Sequence, residues 1–256
     1  MKSLYESILS STKSGAIEMI KKWCEDKLNI WRGPGLMKSN DFVIQSDGKI
    51  TNVPNLNIDL RWVKEKVPDY IKFSEITENF YSSNALKYMT QKQLPPKVKL
   101  LYISGQLGTI PSFKMECTQG LDISDYPQDL KHIDPIYLEC HSTNGAIKKP
   151  SIDLRLSQIG LEDLKNIHIT GDIYDLNIRR TPAAKELHKM MRRIENQAKR
   201  NGYVPDKDIA PPYEEYLNEL FNPKDWPGLR FIYLSDWTML EHNPRTNHWL
   251  LLKHGY

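Results

Sequence analysis

Short alternating apolar groups recur through the middle of the chain and constrain its fold more than any other feature. Each group places apolar residues at every second position, which is the pattern of a half-buried strand. The groups lie at positions 56–60, 80, 101–103, 121–123, 136–138, 154–156, 167–169 and 176–178. The first four are roughly 20 residues apart, within the range of leucine-rich repeats. A unit this short cannot bury its own apolar face, so neighbouring units must stack and share a core.

A turn signal precedes several of these strands. In "LPPKVKLLYIS" (94–104), "YPQDLKHIDPIYLEC" (126–140) and "GLEDLKNIHIT" (160–170), a proline or capping residue opens a short turn and a strand closes the unit. This order predicts an α/β fold, an irregular leucine-rich-repeat-like solenoid over residues 50–180. The alternative is a conventional antiparallel sheet or sandwich, which also gives short strands with turn signals roughly every 8–12 residues. The recurring order of proline, turn and strand favours the solenoid.

The two ends of the chain differ in pattern from the middle. Residues 14–28 have the apolar spacing of a helix capped by Ser14, and Asp47-Gly48 joins two alternating runs as in a hairpin. Thr181-Pro182 begins an amphipathic helix, and the tail predicts a small β-hairpin around residues 243–247 or a three-stranded cap. We therefore predict a helical N-terminal cap with a hairpin (1–49), the solenoid (50–180), and a C-terminal cap of a helix and a β-hairpin (181–256).

The order of these features resembles the degenerate leucine-rich-repeat-like proteins of gut Bacteroidota and their bacteriophages. The likeness rests on the "DGKI" hairpin and on "PDYIKFSEITENF" (68–80), which is similar to the phrase that leads into the repeats of that family. It covers roughly residues 3–180, and the repeats here lack the asparagine ladder of the family. The resemblance implies an interaction scaffold encoded by a phage or a mobile element, and it brings no catalytic residues.

Composition and motif content narrow the classes of function. Hydrophobic residues make up 39% of the chain and charged residues 26%, which is typical of a folded globular protein. The three cysteines are far apart and lack ligand spacing, which argues against a zinc site and a disulfide framework. The sequence contains no phosphate-binding loop, dinucleotide fingerprint or nucleophile elbow. We expect a protein that is not an enzyme and needs no cofactor or metal.

The expected location follows from the absence of long apolar segments. No stretch of the sequence approaches the length of a membrane span, and the first residues lack the apolar core of a signal peptide. We therefore expect no membrane partner and a cytoplasmic location in a bacterial or phage-infected cell. A virion is the alternative location.

The predicted function is the binding of another protein through the exposed strand face. Side chains that alternate with the apolar core positions point away from the core of a sheet. The candidate partner-binding residues are Tyr102, Asp122, Tyr137, Arg155, His168 and Asn177. We predict that these residues lie together on the exposed strand face.

A basic segment supports an alternative, a nucleic-acid-associated protein. Its cations are offset only by Glu186 and Glu195 and could lie along phosphates. They are Arg179, Arg180, Lys185, Lys189, Arg192, Arg193, Lys199 and Arg200. The helix lacks interleaved aromatic residues that would stack on bases. A structural component of a virion or another assembly is a further alternative.

The C-terminal tail suggests a nuclease, since Glu241, His242, His248 and His254 could surround a metal ion. A site of the HNH type needs a helix after the hairpin to carry the last ligand, and only two residues follow His254. Alternation also makes His242 and His248 simple neighbours across the turn. The sequence therefore disfavours a nuclease.

Overall fold

The computed structural model describes residues 13–28, 42–104, 107–123, 129–141, 149–202, 211–243 and 245–253. Contacts within the chain define two compact units, Met1–Tyr102 and Ile103–Tyr256. We call them the first and the second unit. The predicted regional boundaries, after residues 49 and 180, stay predictions.

Helix α1 (Lys13–Leu28) belongs to the first unit and forms where the apolar spacing predicts a helix. Ile20, Cys24 and Leu28 follow one another at intervals of four residues and are buried. The helix begins at Lys13, so Ser14 lies inside it rather than at its N-cap. Burial raises the pKa of the Cys24 thiol to about 12, which keeps it protonated at neutral pH.

The strands of the first unit form two separate arrangements. They are β1 (Phe42–Ile44), β2 (Ile50–Asn52), β3 (Ile58–Asp59), β4 (Ile76–Tyr81) and β5 (Lys97–Tyr102), with a 3-10 helix at Ser83–Tyr88. The predicted hairpin is confirmed, because β1 and β2 pair antiparallel around Gly48, whose φ is 82°. Strands β3, β4 and β5 are parallel. Their register partners Ile58, Phe80 and Leu101 are completely buried.

The second unit contains most of the strands. Its strands are β6 (Thr109–Ile110), β7 (Phe113–Asp122), β8 (His132–Ile133), β9 (Ile136–Cys140), β10 (Ser151–Asp153), β11 (Ile167–Gly171), β12 (Asp175–Asn177), β13 (Phe231–Tyr233), β14 (Thr238–Asn243) and β15 (His248–Lys253). These strands follow one another in the order β7, β10, β12, β13, β14, β15. Strand β9 also pairs with β7, and β11 pairs with β9. Among the described residues, β6 pairs with β8 alone. Pairs from β7 to β13 are parallel, and β13, β14 and β15 are antiparallel. The predicted C-terminal hairpin is therefore confirmed.

Strand β7 pairs with two strands in succession, residues 113–117 with β9 and residues 120–122 with β10. Gly120 lies where the partner changes and has a φ of 103°, in the region that favours glycine. A Cβ atom there would lie 1.8 Å from the backbone oxygen of Ser151. Strand β10 therefore approaches β7 too closely for a side chain at this position.

Three helices accompany this sheet, α2 (Leu161–Leu164), α3 (Pro182–Arg200) and α4 (Pro211–Leu220). The predicted start of α3 is confirmed, because the Thr181 hydroxyl accepts a 3.1 Å hydrogen bond from the Ala184 N–H. Helix α3 buries Leu187 and Met191. Helix α4 packs on β15, where the buried Trp249 indole N–H donates to Asn218 at 2.7 Å.

The predicted leucine-rich-repeat-like solenoid is wrong. The described residues form a mixed α/β structure with few helices and a large sheet that combines parallel and antiparallel strands. Strand length varies from 2 residues in β6 and β8 to 10 in β7, whereas stacked repeats need units of similar size. Alternation of apolar residues reports a strand with one buried face, and it does not distinguish a repeat from an ordinary sheet.

The predicted C-terminal cap is corrected for the same reason. Strand β13 pairs with β12 through Ile232 and Leu176, so the C-terminal strands continue the sheet of the second unit. They do not close the end of a repeat array. The helices α3 and α4 lie in the connection between β12 and β13.

Candidate functional site

One side of the sheet in the second unit presents polar and aromatic side chains. Register partners on parallel strands point to the same side of a sheet. Strand β7 contributes to two of these rows through Lys114 and Asp122, which alternate with buried residues. We call this side the outer face; the first row is Lys114, Tyr137 and His168, and the second row is Asp122, Asp153, Asn177 and Tyr233. All of them are half-buried or exposed.

Tyr137 and His168 are two predicted residues that the structure brings into direct contact. They are register partners on β9 and β11, and their rings stack with centroids 4.8 Å apart and planes 19° apart. Tyr137 is 47% exposed although its strand neighbours Ile136 and Leu138 are buried. The pair is an aromatic platform held by a rigid sheet, the type of group that forms interface hot spots.

Asp122, Arg155 and Asn177 are brought together by a residue that sequence reasoning missed, Asp153. Asp153 is the register partner of both Asp122 and Asn177. The Arg155 Nε donates to the two Asp153 carboxylate oxygens at 3.0 and 2.9 Å, and the Asn177 amide donates to one of them at 3.3 Å. Asp153 therefore joins Arg155 and Asn177 in one hydrogen-bonded polar group.

A sequence signal for Asp153 was present. The tripeptide Asp-Leu-Arg occurs at 59–61 and at 153–155, and Asn-Ile-Arg occurs at 177–179. In each, the arginine Nε donates to the side chain of the first residue at 3.0–3.1 Å. Each tripeptide begins at the last residue of its strand, and its arginine is held beside that residue.

Tyr102 belongs to the first unit, and the other predicted partner-binding residues belong to the second unit. Its ring is 4.8 Å from that of Tyr81, its register partner on β4. The Arg61 guanidinium lies 4.7 Å from the centre of the Tyr81 ring, and Arg61 also pairs with Asp59 at 2.7 Å. In the first unit, Asp59, Tyr81 and Tyr102 are register partners at the ends of β3, β4 and β5.

Asp175 is a half-buried carboxylate on the same side of β12 as Asn177. It lies two residues before Asn177 on β12, and its Oδ1 atom is buried without a hydrogen-bond partner in the described part of the chain. Burial raises the pKa of Asp175, and the nearby Lys149 partly opposes this shift. Lys149 itself lies 4.0 Å from the centre of the Tyr174 ring.

The cations of the basic segment divide into two groups. Arg179 and Arg180 hold Asp236 between them, with N–O distances of 3.0 and 2.9 Å. Hydrogen bonding to Arg180 first, and then the charges of both arginines, lower the pKa of Asp236. Asp236 therefore already neutralises part of the positive charge of Arg179 and Arg180.

The remaining cations form a continuous stripe on α3. They are Lys185, Lys189, Arg192, Arg193, Lys199 and Arg200, and all are exposed. At about 100° per residue they fall within an arc of roughly 120°, opposite the buried Leu187 and Met191. Within the described ranges, no carboxylate pairs with any of them. We call this the basic stripe.

The C-terminal histidines do not form a metal centre in the part of the chain that is described. The buried His242 stacks on Trp249 and contacts the Leu229 carbonyl and Asn247, while His248 pairs with Glu214 at 2.6 Å. No group of three or more His, Cys, Asp or Glu residues among the described positions is arranged to hold a metal ion. His254 lies outside the described residues.

Comparisons with protein families, characterised proteins and solved structures give no match for this chain. The resemblance to degenerate leucine-rich-repeat-like proteins of Bacteroidota and their phages therefore stays a prediction, without the solenoid that it implied. None of the helices in the described residues is long and apolar enough to cross a membrane.

Proposed function

We propose that the protein is a binding module without catalytic activity and that its second unit receives another protein on the outer face. The observation that carries this proposal is the stacked pair of Tyr137 and His168 on adjacent strands. An exposed aromatic ring on a sheet has few degrees of freedom left to lose when a partner covers it. The cytoplasmic or virion location, and the encoding by a phage or mobile element, are part of the same proposal.

The second row supports this proposal by providing directional contacts on the same side of the sheet as the aromatic pair. Asp153 holds Arg155 and Asn177 in fixed positions before any partner arrives. Side chains that are already ordered lose less entropy on binding. An aromatic centre with an ordered polar border is the usual composition of a protein interface.

The test is site-specific photo-crosslinking at the proposed centre. A benzoylphenylalanine replaces Tyr137 in one protein and Tyr88, which is 41% exposed in the first unit, in the control. Both are irradiated in lysate of the source cells after nuclease treatment. We expect a discrete protein adduct from position 137 alone, and its loss on His168→Ala. Equal adducts at both positions, or none at 137, contradict the proposal.

The identified partner then allows a quantitative test. The triple variant Tyr137→Ala, Arg155→Ala and His168→Ala should weaken binding by at least about thirtyfold, since hot-spot residues contribute about 2 kcal/mol or more. Unchanged affinity in this variant would remove the outer face from consideration.

The basic stripe favours a second candidate function, binding of a nucleic-acid backbone. Like charges four residues apart destabilise a helix by about 0.2–0.5 kcal/mol per pair, and Lys185, Lys189 and Arg193 are spaced in this way. A ligand with repeated negative charge offsets this repulsion. The stripe extends over roughly 22 Å of helix, enough to follow several phosphates.

This second candidate predicts a steep dependence of affinity on salt. Fluorescence anisotropy with a random-sequence DNA duplex should give a slope of about −0.9 in log K against log salt for each phosphate contacted. Changing Lys189, Arg192 and Arg193 to Gln should reduce the slope by about 2 to 3 units. The control changes Lys64, Lys66 and Lys72 of the first unit in the same way. Duplex binding that is insensitive to salt or to the α3 changes excludes this function.

A further inference from the structure

A cavity of about 280 Å³ lies between helix α4 and the first residues of strand β11. Its walls include Tyr216 and Glu219 from α4, Lys165 and His168 beside and within β11, and Asp225 and Trp226 after α4. Small-molecule sites usually enclose about 300–1,000 Å³. The size of this cavity therefore suits a single long side chain better than a cofactor.

The charged groups of the cavity leave a negative excess. Lys165 is held by Glu162, which lies outside the lining, through hydrogen bonds of 2.9 and 3.0 Å to its two carboxylate oxygens. Glu219 and Asp225 have no salt-bridge partner among the described residues. Glu162 thus balances the charge of Lys165 from outside the lining, while the carboxylates of Glu219 and Asp225 are available to a ligand.

The aromatic walls add a second kind of attraction for a cation. Trp226 is 3% exposed and packs edge-on against Phe221, so its indole is fixed in position. Tyr216 is half-buried; burial first, and then Glu186, raise its pKa, so its phenol remains a neutral donor. Indole and phenol rings attract ammonium and guanidinium groups through their π faces. Carboxylates beside such rings form a site for a basic side chain.

We propose that this cavity receives an arginine or lysine side chain of the protein that binds the outer face. The link between the two surfaces is His168, which lines the cavity and stacks on Tyr137. A partner segment that covers Tyr137 can therefore place a basic residue into the cavity without leaving the surface. This inference rests on the proposed function and names the chemistry of the partner.

The test uses a small peptide and does not require the partner. The probes are N-acetyl-Gly-Arg-Gly-amide and its citrulline analogue, which keeps the shape of arginine without its charge. Each is titrated into the full-length ¹⁵N-labelled protein at low salt. The readout is the indole N–H signal of Trp226, assigned with a Trp226→Phe variant. We expect a saturable shift with a Kd of about 1 mM for the arginine peptide and none for the citrulline peptide.

Matched variants identify the carboxylates that are responsible. Glu219→Gln and Asp225→Asn should each weaken the arginine peptide by about tenfold or more, as expected for loss of a charge-assisted hydrogen bond. Glu215→Gln is the control, because Glu215 is exposed on the same helix and does not line the cavity. Equal weakening by Glu215→Gln means general charge attraction and overturns the inference, as does an equal response to citrulline or no saturable shift.

The result of the peptide titration can be distinguished from the result of the crosslinking test of the proposed function. An adduct at Tyr137 together with a negative peptide titration keeps the outer face and rejects the cavity. A positive titration without an adduct keeps a site for basic side chains and rejects the outer face as the docking surface.

Discussion

Two turns at the ends of neighbouring parallel strands share one local structure, yet their arginines form different ion pairs. One turn, 153–157, begins at the last residue of β10, and the other, 177–181, begins at the last residue of β12. The fourth residue of each has a positive φ, 65° at Leu156 and 62° at Arg180. The fifth residue of each, Ser157 or Thr181, donates its hydroxyl to the carbonyl of the second residue at 2.8 or 2.7 Å.

The two turns differ in their first residue and in the ion pair of their arginine. Asp153 offers a carboxylate, and Arg155 binds both of its oxygens. Asn177 offers a neutral amide oxygen, and Arg179 adds a salt bridge to Asp236, 57 residues further along the chain. One amide in place of one carboxylate therefore accompanies the change from a local ion pair to a long-range one.

The largest expected effect tests whether the two turns are equally anchored in the core. Leu154 and Ile178 occupy the second position of each turn and are completely buried. Changing either to Ala should lower the free energy of unfolding by about 2–5 kcal/mol, because the change leaves a cavity. Urea denaturation measures this, with the exposed Gln158→Ala as the control. A cost below about 1 kcal/mol at one turn would show that the two are not equivalent.

The next largest effect on stability distinguishes the turn at 177–181, which starts helix α3, from the turn at 153–157, which does not start a helix. The Thr181 hydroxyl also caps α3, whereas the hydroxyl of Ser157, among the residues that the structure describes, bonds only within its turn. We expect Thr181→Val to cost about 1 kcal/mol more than Ser157→Ala, through loss of the cap. Thr181→Ser keeps the hydroxyl and should restore most of the stability. Equal losses in thermal denaturation would contradict a capping role.

The shared backbone conformation gives a smaller difference. Residues with positive φ tolerate Asn better than branched side chains. Arg180→Val and Arg180→Asn both remove the ion pair with Asp236, so their comparison isolates the backbone. Arg180→Val should be less stable by about 1 kcal/mol in urea denaturation. Indistinguishable midpoints would argue against a left-handed conformation at this position in solution.

The smallest effect concerns the long-range ion pair and its dependence on pH. Arg180 and Arg179 lower the pKa of Asp236 below its value in the unfolded chain. The unfolded state therefore binds this proton more readily, so the stabilisation is complete above about pH 4 and is lost as pH falls through the folded-state pKa. Melting temperatures measured from pH 7 to pH 2 should fall less in Asp236→Asn than in the natural protein. The difference should shrink in about 1 M salt, because Asp236 is exposed.

Features with determinants a few residues apart were predictable from the sequence. The hairpin at Asp47-Gly48, the start of α3 at Thr181-Pro182 and the C-terminal hairpin are confirmed by strand pairing and by a capping hydrogen bond. Each depends on local backbone preference, which a short sequence expresses directly. The alternation that indicated Tyr137 and His168 is local in the same sense, and it placed both on the outward side of their strands.

The partners of these elements were not predictable in the same way. The solenoid was wrong because apolar alternation indicates which side of a strand is buried and contains no information on which strand lies beside it. Asp153 was missed because its importance arises from pairing β10 with both β7 and β12. The cavity beside His168 likewise depends on α4, which is distant in sequence from β11.

The sequence by itself therefore determined the local elements of this protein, namely the helices, hairpins and strand faces for which hydrogen bonds and apolar periodicity operate over a few residues. Only the tertiary structure decided the order of the strands, the stacking of Tyr137 on His168, and the choice between a local and a distant carboxylate for each arginine. The physical reason is the range of the interactions. Pairing between distant strands depends on the packing of the whole core, and no short segment encodes it.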